Sequence, residues 1–304
     1  MKLLITGAWA DAQAHLAELE ALGHRCVLLP QEADPLPCPP DWPEGVICNG
    51  LFLHHPLGDF TALRYVQLTS AGFDRVDLPE LRRRGVRVHN ARGVYSAPMA
   101  EFALAGVLAL YKQLRFFTDR QRERRWVKHR GLLELGGRTV TILGCGSVGT
   151  ECARRFAAFG CRVFGVDLFP RQDPAFSEVR PLAELDALLP ETDILLLTLP
   201  LTPETRGLVD AARLARLPAG AVLVNIARGP VVAEAALLRA LEAGRLAGAV
   251  LDVFETEPLP ADSPLWSMEN VILTPHNSFV GPGNGARLSQ VILENLRAAA
   301  EERL

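Results

Sequence analysis

Three residues of this chain carry side chains that could act together on a carboxylate-bearing substrate. Arg228 ends the run Ala221-Val-Leu-Val-Asn-Ile-Ala-Arg, Glu257 closes the acidic segment after Gly248-Ala-Val-Leu-Asp252, and His276 ends Val271-Ile-Leu-Thr-Pro-His. An Arg can grip a carboxylate through two parallel hydrogen bonds. A His gives and takes protons near neutral pH, and a neighbouring acid stabilises the imidazolium. Each has a plain reading taken singly: a turn cation before Gly229, a turn cap before Pro258, a loop residue after Pro275. Only the set has a chemistry. In open α/β sheets ligands bind outside the carboxyl ends of the strands, so such residues can converge.

A second group is Thr139-Val-Thr-Ile-Leu-Gly144-Cys-Gly146-Ser147-Val148-Gly149. It is G-x-G-x-x-G after an apolar run and ahead of a helical pattern, Thr150 to Gly160. Gly144 allows a tight turn, Gly146 lets the backbone approach a pyrophosphate, and Gly149 lets helix and strand pack closely. The amides of Ser147 and Val148 then face the phosphates. Asp167 follows 18 residues after Gly149, at the end of the next strand candidate. A carboxylate there accepts from both ribose hydroxyls and repels a 2′-phosphate, which favours NAD over NADP. Arg171 is the nearby residue that could accommodate that phosphate.

Positioning these residues requires parallel sheets. Apolar runs at Met1–Thr6, Cys26–Leu29, Gly45–Cys48, Tyr65–Leu68 and Val86–His89 alternate with helix or loop, and a Pro-rich stretch from Pro30 to Pro43 reads as loop. A long helix is expected from Ser96, its N-cap, to Arg125. A second series of strands follows at Thr139–Leu143, Arg162–Val166, Ile194–Leu197, Ala221–Asn225, Gly248–Val253 and Val271–Leu273, with a last helix over Gly285–Glu302. The βαβ rhythm predicts an α/β fold of two doubly wound, Rossmann-like parallel-sheet domains, and the second series holds the nucleotide motif.

The 304 residues suffice for two domains. Hydrophobic residues make up 49% and charged residues 22%, and the net charge is −3, so nothing points to a nucleic-acid partner. No apolar run reaches the length of a membrane span, and Met1–Ala10 does not read as a secretory leader. Cys26, Cys38, Cys48, Cys145, Cys152 and Cys161 form no C-x-x-C pair. They are expected to be buried, reduced thiols of a cytoplasmic protein that binds no metal. The basic run Asp119–Arg125 reads as a solvated helix face.

Several segments together resemble the D-isomer-specific 2-hydroxyacid dehydrogenases, the family of glyoxylate and hydroxypyruvate reductases and of D-lactate and D-3-phosphoglycerate dehydrogenases. They are Ser70-Ala-Gly-Phe-Asp-Arg-Val-Asp77, Met99-Ala-Glu101, the glycine motif, Leu199-Pro-Leu-Thr-Pro-Glu-Thr-Arg-Gly207, Asn225-Ile-Ala-Arg-Gly229, Asp252-Val-Phe-Glu-Thr-Glu-Pro258 and Thr274-Pro-His276. The resemblance implies that Arg228, Glu257 and His276 are catalytic and that Asp252 contacts the nicotinamide carboxamide or ribose. It implies that Ile226 and Ala227 lie along the cofactor, and Leu199, Pro200 and Thr205 near its adenosine end. Ala71 and Gly72 would offer amides to the substrate carboxylate, with Arg228 as its side-chain partner. It also implies a substrate domain of residues 1–97 plus 277–304, a cofactor domain of 98–276, and a cofactor and substrate cleft between them. A homodimer through the cofactor domain is implied too, with Trp126 as an anchor. The substrate would be a small 2-keto or 2-hydroxy acid, with Asn49–His55 forming part of its wall. Glu257, where formate-oxidising members carry Gln, disfavours formate. Asn277-Ser-Phe after His276 departs from the small residues common in phosphoglycerate enzymes. The competing reading is a non-enzymatic NAD-binding sensor or corepressor-like scaffold of the same fold.

Overall fold

Strands buried on both faces read as unbroken apolar runs, and Ile194–Leu197, buried at all four positions, is the plainest case. In this computed structural model, which describes residues 1–301, such runs build two separate parallel sheets. The chain divides into two units. Unit 1 is Met1–Tyr95 with the segment from Gly281 onward, and unit 2 is Ser96–Val280.

Unit 1 contains strands β1 (Lys2–Thr6), β2 (Arg25–Leu29), β3 (Gly45–Cys48), β4 (Tyr65–Leu68) and β5 (Arg87–His89), in the order β2-β1-β3-β4-β5. All neighbours are parallel, so all carboxyl ends lie on one edge. Helices α1 (Ala12–Ala21) and α2 (Leu78–Arg83) belong to it, the second capped by Asp77, whose carboxylate accepts from the Glu80 amide at 2.9 Å. Its sheet is also covered by a helix from the far end of the chain. Leu288, Ile292, Leu293 and Leu296 share one core with Leu3, Ile5, Trp9 and Tyr65.

In unit 2, β6 (Thr139–Leu143), β7 (Arg162–Asp167), β8 (Glu178–Pro181), β9 (Ile194–Leu197), β10 (Ala221–Asn225), β11 (Leu246–Leu251) and β12 (Val271–Leu273) pair in the order β12-β11-β10-β9-β6-β7-β8. The order reverses between β6 and β9, as in doubly wound dinucleotide-binding sheets. The helices of unit 2 are α3 (Ser96–Tyr111), α4 (Leu114–Arg122), α5 (Ser147–Ala158), α6 (Leu185–Leu188), α7 (Ala211–Arg216) and α8 (Glu234–Glu242); α9 (Asn284–Glu301) is the late helix of unit 1. On one sheet face Ala100, Ala103 and Val107 of α3 share a core with Phe156 of α5. A Cβ on Gly106 would lie 2.6 Å from Val250, so only glycine lets α3 come this close to β11.

Some expectations need correction. The helix expected from Ser96 to Arg125 is two helices, broken where Gln113 adopts a left-handed φ of 51°. The returning strap fixes the break: Leu133 N donates to Tyr111 O at 3.0 Å and Lys112 Nζ to Leu133 O at 2.7 Å. Ser96 is no cap, because it lies within the helix and its buried hydroxyl has no hydrogen-bond partner among the described residues. The strand β8 has no counterpart among the expected strands. The six cysteines are unpaired, but only Cys48 and Cys152 are buried and the other four are half-buried. No helix among the described residues is long and apolar enough to cross a membrane.

The two passages between units fall at Tyr95–Ser96, beside Ala97, and at Val280–Gly281, four residues after His276. Helix α3 joins the core of unit 2 from Met99 to Tyr111, and the residues after His276 are held there by Asp252, as described below. Residue 302, the expected end of the last helix, lies outside the described residues.

Candidate active site

The loops at the carboxyl ends of β6 to β12 carry almost every residue singled out in unit 2. The glycine loop follows β6. Gly144 has φ of 99°, and a Cβ there would lie 2.7 Å from the Leu199 amide nitrogen. A Cβ on Gly149 would lie 2.0 Å from the Gly144 carbonyl oxygen, whereas one on Gly146 would meet nothing within 4 Å. Gly144 and Gly149 are therefore required by the protein's own contacts. Gly146 faces open space, where a bound pyrophosphate could approach the backbone. Ser147 and Val148 open α5, so their amides have no intrahelical acceptor.

Asp167 ends β7 and turns toward this loop. Its Oδ2 accepts from the Cys145 amide at 2.7 Å and its Oδ1 from the Phe169 amide at 3.0 Å. Each oxygen keeps acceptor capacity beyond these bonds. Burial, and secondarily the charge of Asp167, pushes the Cys145 thiol up to about 12. It stays protonated and brings no thiolate beside the phosphate-binding turn. These groups fit a nicotinamide dinucleotide: an open glycine turn, free helix amides and an acceptor carboxylate.

Arg228 follows β10. Asn225 fixes the bend, with Nδ2 donating to Arg228 O and Oδ1 accepting from Ala227 N, each at 3.1 Å. Next to it a Cβ on Gly229 would overlap the Phe254 carbonyl carbon at 1.9 Å, which seats this turn against the loop after β11. Arg228 Nη1 donates to Ala227 O at 2.7 Å.

Glu257 and His276 meet. Glu257 Oε1 accepts from the Phe254 amide at 3.0 Å, and Oε2 lies 2.9 Å from His276 Nδ1. A proton on Nδ1 satisfies that contact, so the tautomer this assigns leaves Nε2 for exchange with a substrate oxygen. The His276 and Glu257 side chains are 43% and 37% exposed, open enough to be reached. His276 sits at φ of 51°, a region costing an L residue about 1–2 kcal/mol.

Asp252 holds that conformation. Its carbonyl accepts from the His276 amide at 2.8 Å. Its carboxylate takes Thr274 Oγ1 at 2.6 Å and Asn277 N at 2.7 Å on Oδ1, and Ser278 N at 2.9 Å on Oδ2. Only 1% of Asp252 is exposed, so its carboxylate serves the His276 loop from within. Among the described residues no group of three or more His, Cys, Asp or Glu is placed to hold a metal ion.

A family model described as "D-isomer specific 2-hydroxyacid dehydrogenase, NAD binding domain" matches residues 104–278. The chain belongs to this dehydrogenase family. It is similar to a glyoxylate reductase of Korarchaeum cryptofilum, 38% identical over 241 residues that cover 78% of this chain and 73% of the relative. A solved family member from Aeromonas salmonicida subsp. salmonicida A449 superposes with a TM-score of 0.84 at 34% identity, covering 97% of this chain and 94% of the other. Another, from Xanthobacter autotrophicus Py2 in complex with NADPH and MES, gives 0.79 at 34% identity, covering 98% and 95%. The protein is thus a 2-hydroxyacid dehydrogenase with a domain for a nicotinamide cofactor.

The other residues singled out in the dehydrogenase's sequence fall into two kinds. Leu199, Ile226 and Ala227 are buried and Pro200 is exposed. Thr205 is buried, its hydroxyl donating to Pro200 O at 2.8 Å and accepting from Thr202 N at 2.7 Å, so it braces the turn that carries Leu199 and Pro200. Ala71 and Gly72 lie in unit 1, after β4. Their carbonyls are engaged by Asn90 Nδ2 at 2.6 Å and Ser70 Oγ at 3.0 Å. Neither amide donates a hydrogen bond among the described residues. Two further residues, given no role in the sequence, support the site. Thr198 donates to the Gly144 carbonyl at 2.7 Å, and the Phe279 ring stands edge-on to His276 with centroids 6.4 Å apart. Thr198 stands just before the motif that begins at Leu199, and Phe279 ends the Asn277-Ser-Phe segment noted above.

A separate groove of unit 2 lies away from these residues. It measures about 910 Å³ and lies between α4 and the strap after it, lined by Phe117, Arg120, Arg124, Trp126, His129 and Leu132 among others. Trp126 is 97% exposed.

Proposed function

We propose that this chain is an NAD-dependent reductase of small 2-keto acids, interconverting them with D-2-hydroxy acids. The observation that carries the reading is the His276 Nδ1–Glu257 Oε2 contact of 2.9 Å, which leaves Nε2 available as a proton donor. When bound, the nicotinamide supplies the hydride. His276 donates its proton to the oxygen of the substrate carbonyl as negative charge develops there. Glu257 stabilises the imidazolium before that transfer. Arg228 pairs with the substrate carboxylate and polarises the carbonyl, and the amides of Ala71 and Gly72 are further donors to the carboxylate. In the oxidative direction His276, neutral, accepts the alcohol proton.

Gly144, Gly146, Ser147, Val148 and Gly149 are assigned to the pyrophosphate and Asp167 to the adenosine ribose. Leu199, Pro200 and Thr205 are assigned to the adenosine end, and Ile226 and Ala227 to the cofactor's flank. Asp252, with three donors on its carboxylate, is assigned to support of the His276 loop rather than to direct cofactor contact. The preference for NAD rests on the Asp167 charge, although a solved relative carries NADPH. The homodimer is kept as part of the proposal. Trp126 is nearly fully exposed and Leu114, Val127, Leu132 and Leu133 are exposed as well, apolar surface of the sort that an interface would cover. A monomer by sedimentation at micromolar concentration overturns that part.

The test of the reaction is steady-state reduction of glyoxylate, hydroxypyruvate and pyruvate with NADH and with NADPH. His276→Ala should lower kcat about 10²–10⁴-fold while NADH affinity changes little. Near-wild-type turnover by that variant overturns the assignment.

A further inference from the structure

The strand order of unit 1 reverses between β1 and β3, the place where open parallel sheets bind ligands outside their carboxyl ends. Three donors converge there on one side chain, Glu32. Thr6 Oγ1, at the end of β1, donates to Glu32 Oε1 at 2.8 Å. The amides of Asn49 and Gly50, just past β3, donate to Oε1 and Oε2, each at 2.6 Å. Successive amides directed at one carboxylate are a way the backbone binds anions. Here the chain supplies the anion itself. A Cβ on Gly50 would lie 3.3 Å from Glu32 Oε2, so the fit is close. The segment is pinned further by His55 Nε2, 3.0 Å from the Glu32 carbonyl oxygen. Thr69 N donates to Cys48 O at 2.9 Å, which ties this turn to the end of β4 and thus to the loop of Ala71 and Gly72.

We propose that Glu32 determines specificity by filling this anion-binding turn and fixing a negative charge in it. The inference rests on the reading above that Ala71 and Gly72 receive the substrate carboxylate. A 2-keto acid with a neutral substituent meets only shape and polar surface at the turn. One with a second anionic group finds both amides occupied and a like charge facing it. A nearby cation is Arg75, whose side chain is exposed and whose Cδ lies 3.8 Å from where a Cβ on Gly50 would stand. Solvent and salt screen that exposed guanidinium, whereas Glu32 is half-buried and held by three donors.

The experiment measures kcat/KM with NADH for glyoxylate and hydroxypyruvate against oxaloacetate and 3-phosphohydroxypyruvate, in the wild type, Glu32→Gln and Glu32→Ala, each checked for a cooperative thermal transition. The wild type should favour the neutral-substituent substrates at least about tenfold, the size of one like-charge penalty of the order that separates partners. Glu32→Gln should shrink that ratio, mainly through KM of the doubly charged substrates. Glu32→Ala, which also frees the amides, should shrink it further. A wild type that prefers the doubly charged substrates, or a folded variant with the wild-type ratio, overturns the role of Glu32 alone. No turnover of any 2-keto acid by the wild type overturns the reading on which it rests.

Discussion

Asp252 and His276 are joined backbone to backbone at 2.8 Å, and the Asp252 carboxylate then takes the amides of the two residues after the histidine. A buried acid thus sets where the imidazole stands without touching it. Asp252→Asn turns an NH₂ toward N–H or O–H donors and leaves one of them unpaired, at a cost of about 1–3 kcal/mol. The expected result is a lower melting temperature and a kcat reduced about tenfold or more, since small misplacements of a reacting group are costly. The Kd for NADH should move far less than kcat. A large rise in Kd with kcat retained would instead mark Asp252 as a direct cofactor contact.

Glu257→Gln keeps a hydrogen-bond acceptor beside His276 Nδ1 but removes the charge. Reduction needs the protonated imidazole. Without the carboxylate that form is less stable, so kcat for reduction should fall while the Kd for NADH changes little. Steady-state kinetics and a fluorescence titration measure the two. An unchanged kcat contradicts the pairing.

The cofactor preference is testable at Asp167. The wild type should use NADH better than NADPH, and Asp167→Ser should raise the NADPH:NADH ratio of kcat/KM about tenfold or more, about 1.4 kcal/mol of removed repulsion. The same change removes the acceptor of the Cys145 amide, so both cofactors should bind more weakly. An unchanged ratio would shift attention to Arg171.

Gly149→Ala places a methyl group 2.0 Å from the Gly144 carbonyl oxygen. Backbone cannot yield as a flexible side chain does, so helix α5 must withdraw from β6. We expect destabilisation of about 1–3 kcal/mol, the usual range for overpacking, and a weakened Kd for NADH. Equilibrium denaturation and fluorescence titration check the two effects separately.

What the sequence made legible follows a physical line. Ile194–Leu197 and Thr139–Leu143 are buried on both faces and show as apolar runs. The strand β8 is an edge, paired only with β7 and half-exposed, and its residues Glu-Val-Arg-Pro carry no such run. The break at Gln113 is set by the strap that returns at Leu133, far along the chain, so the local helical period runs through it. The same holds at the candidate site. The glycine motif is local and readable. The support that Asp252 gives residues 25 and 26 positions later, and the three donors around Glu32, depend on tertiary contacts. Glu32 is hidden inside a Pro-rich stretch that reads only as loop.

The return of α9 to unit 1 has a consequence for synthesis on the ribosome. Trp9 Nε1 donates to Ser289 Oγ across 280 positions, and Leu3 and Ile5 share their core with Leu288 and Ile292. At 5–20 residues per second, the first strand waits roughly 15–55 s for the helix that covers it. Every core partner of unit 2 has by then been made. The N-terminal sheet of a nascent chain therefore exposes an apolar face through most of synthesis, and that face is where chaperone capture of stalled chains should concentrate.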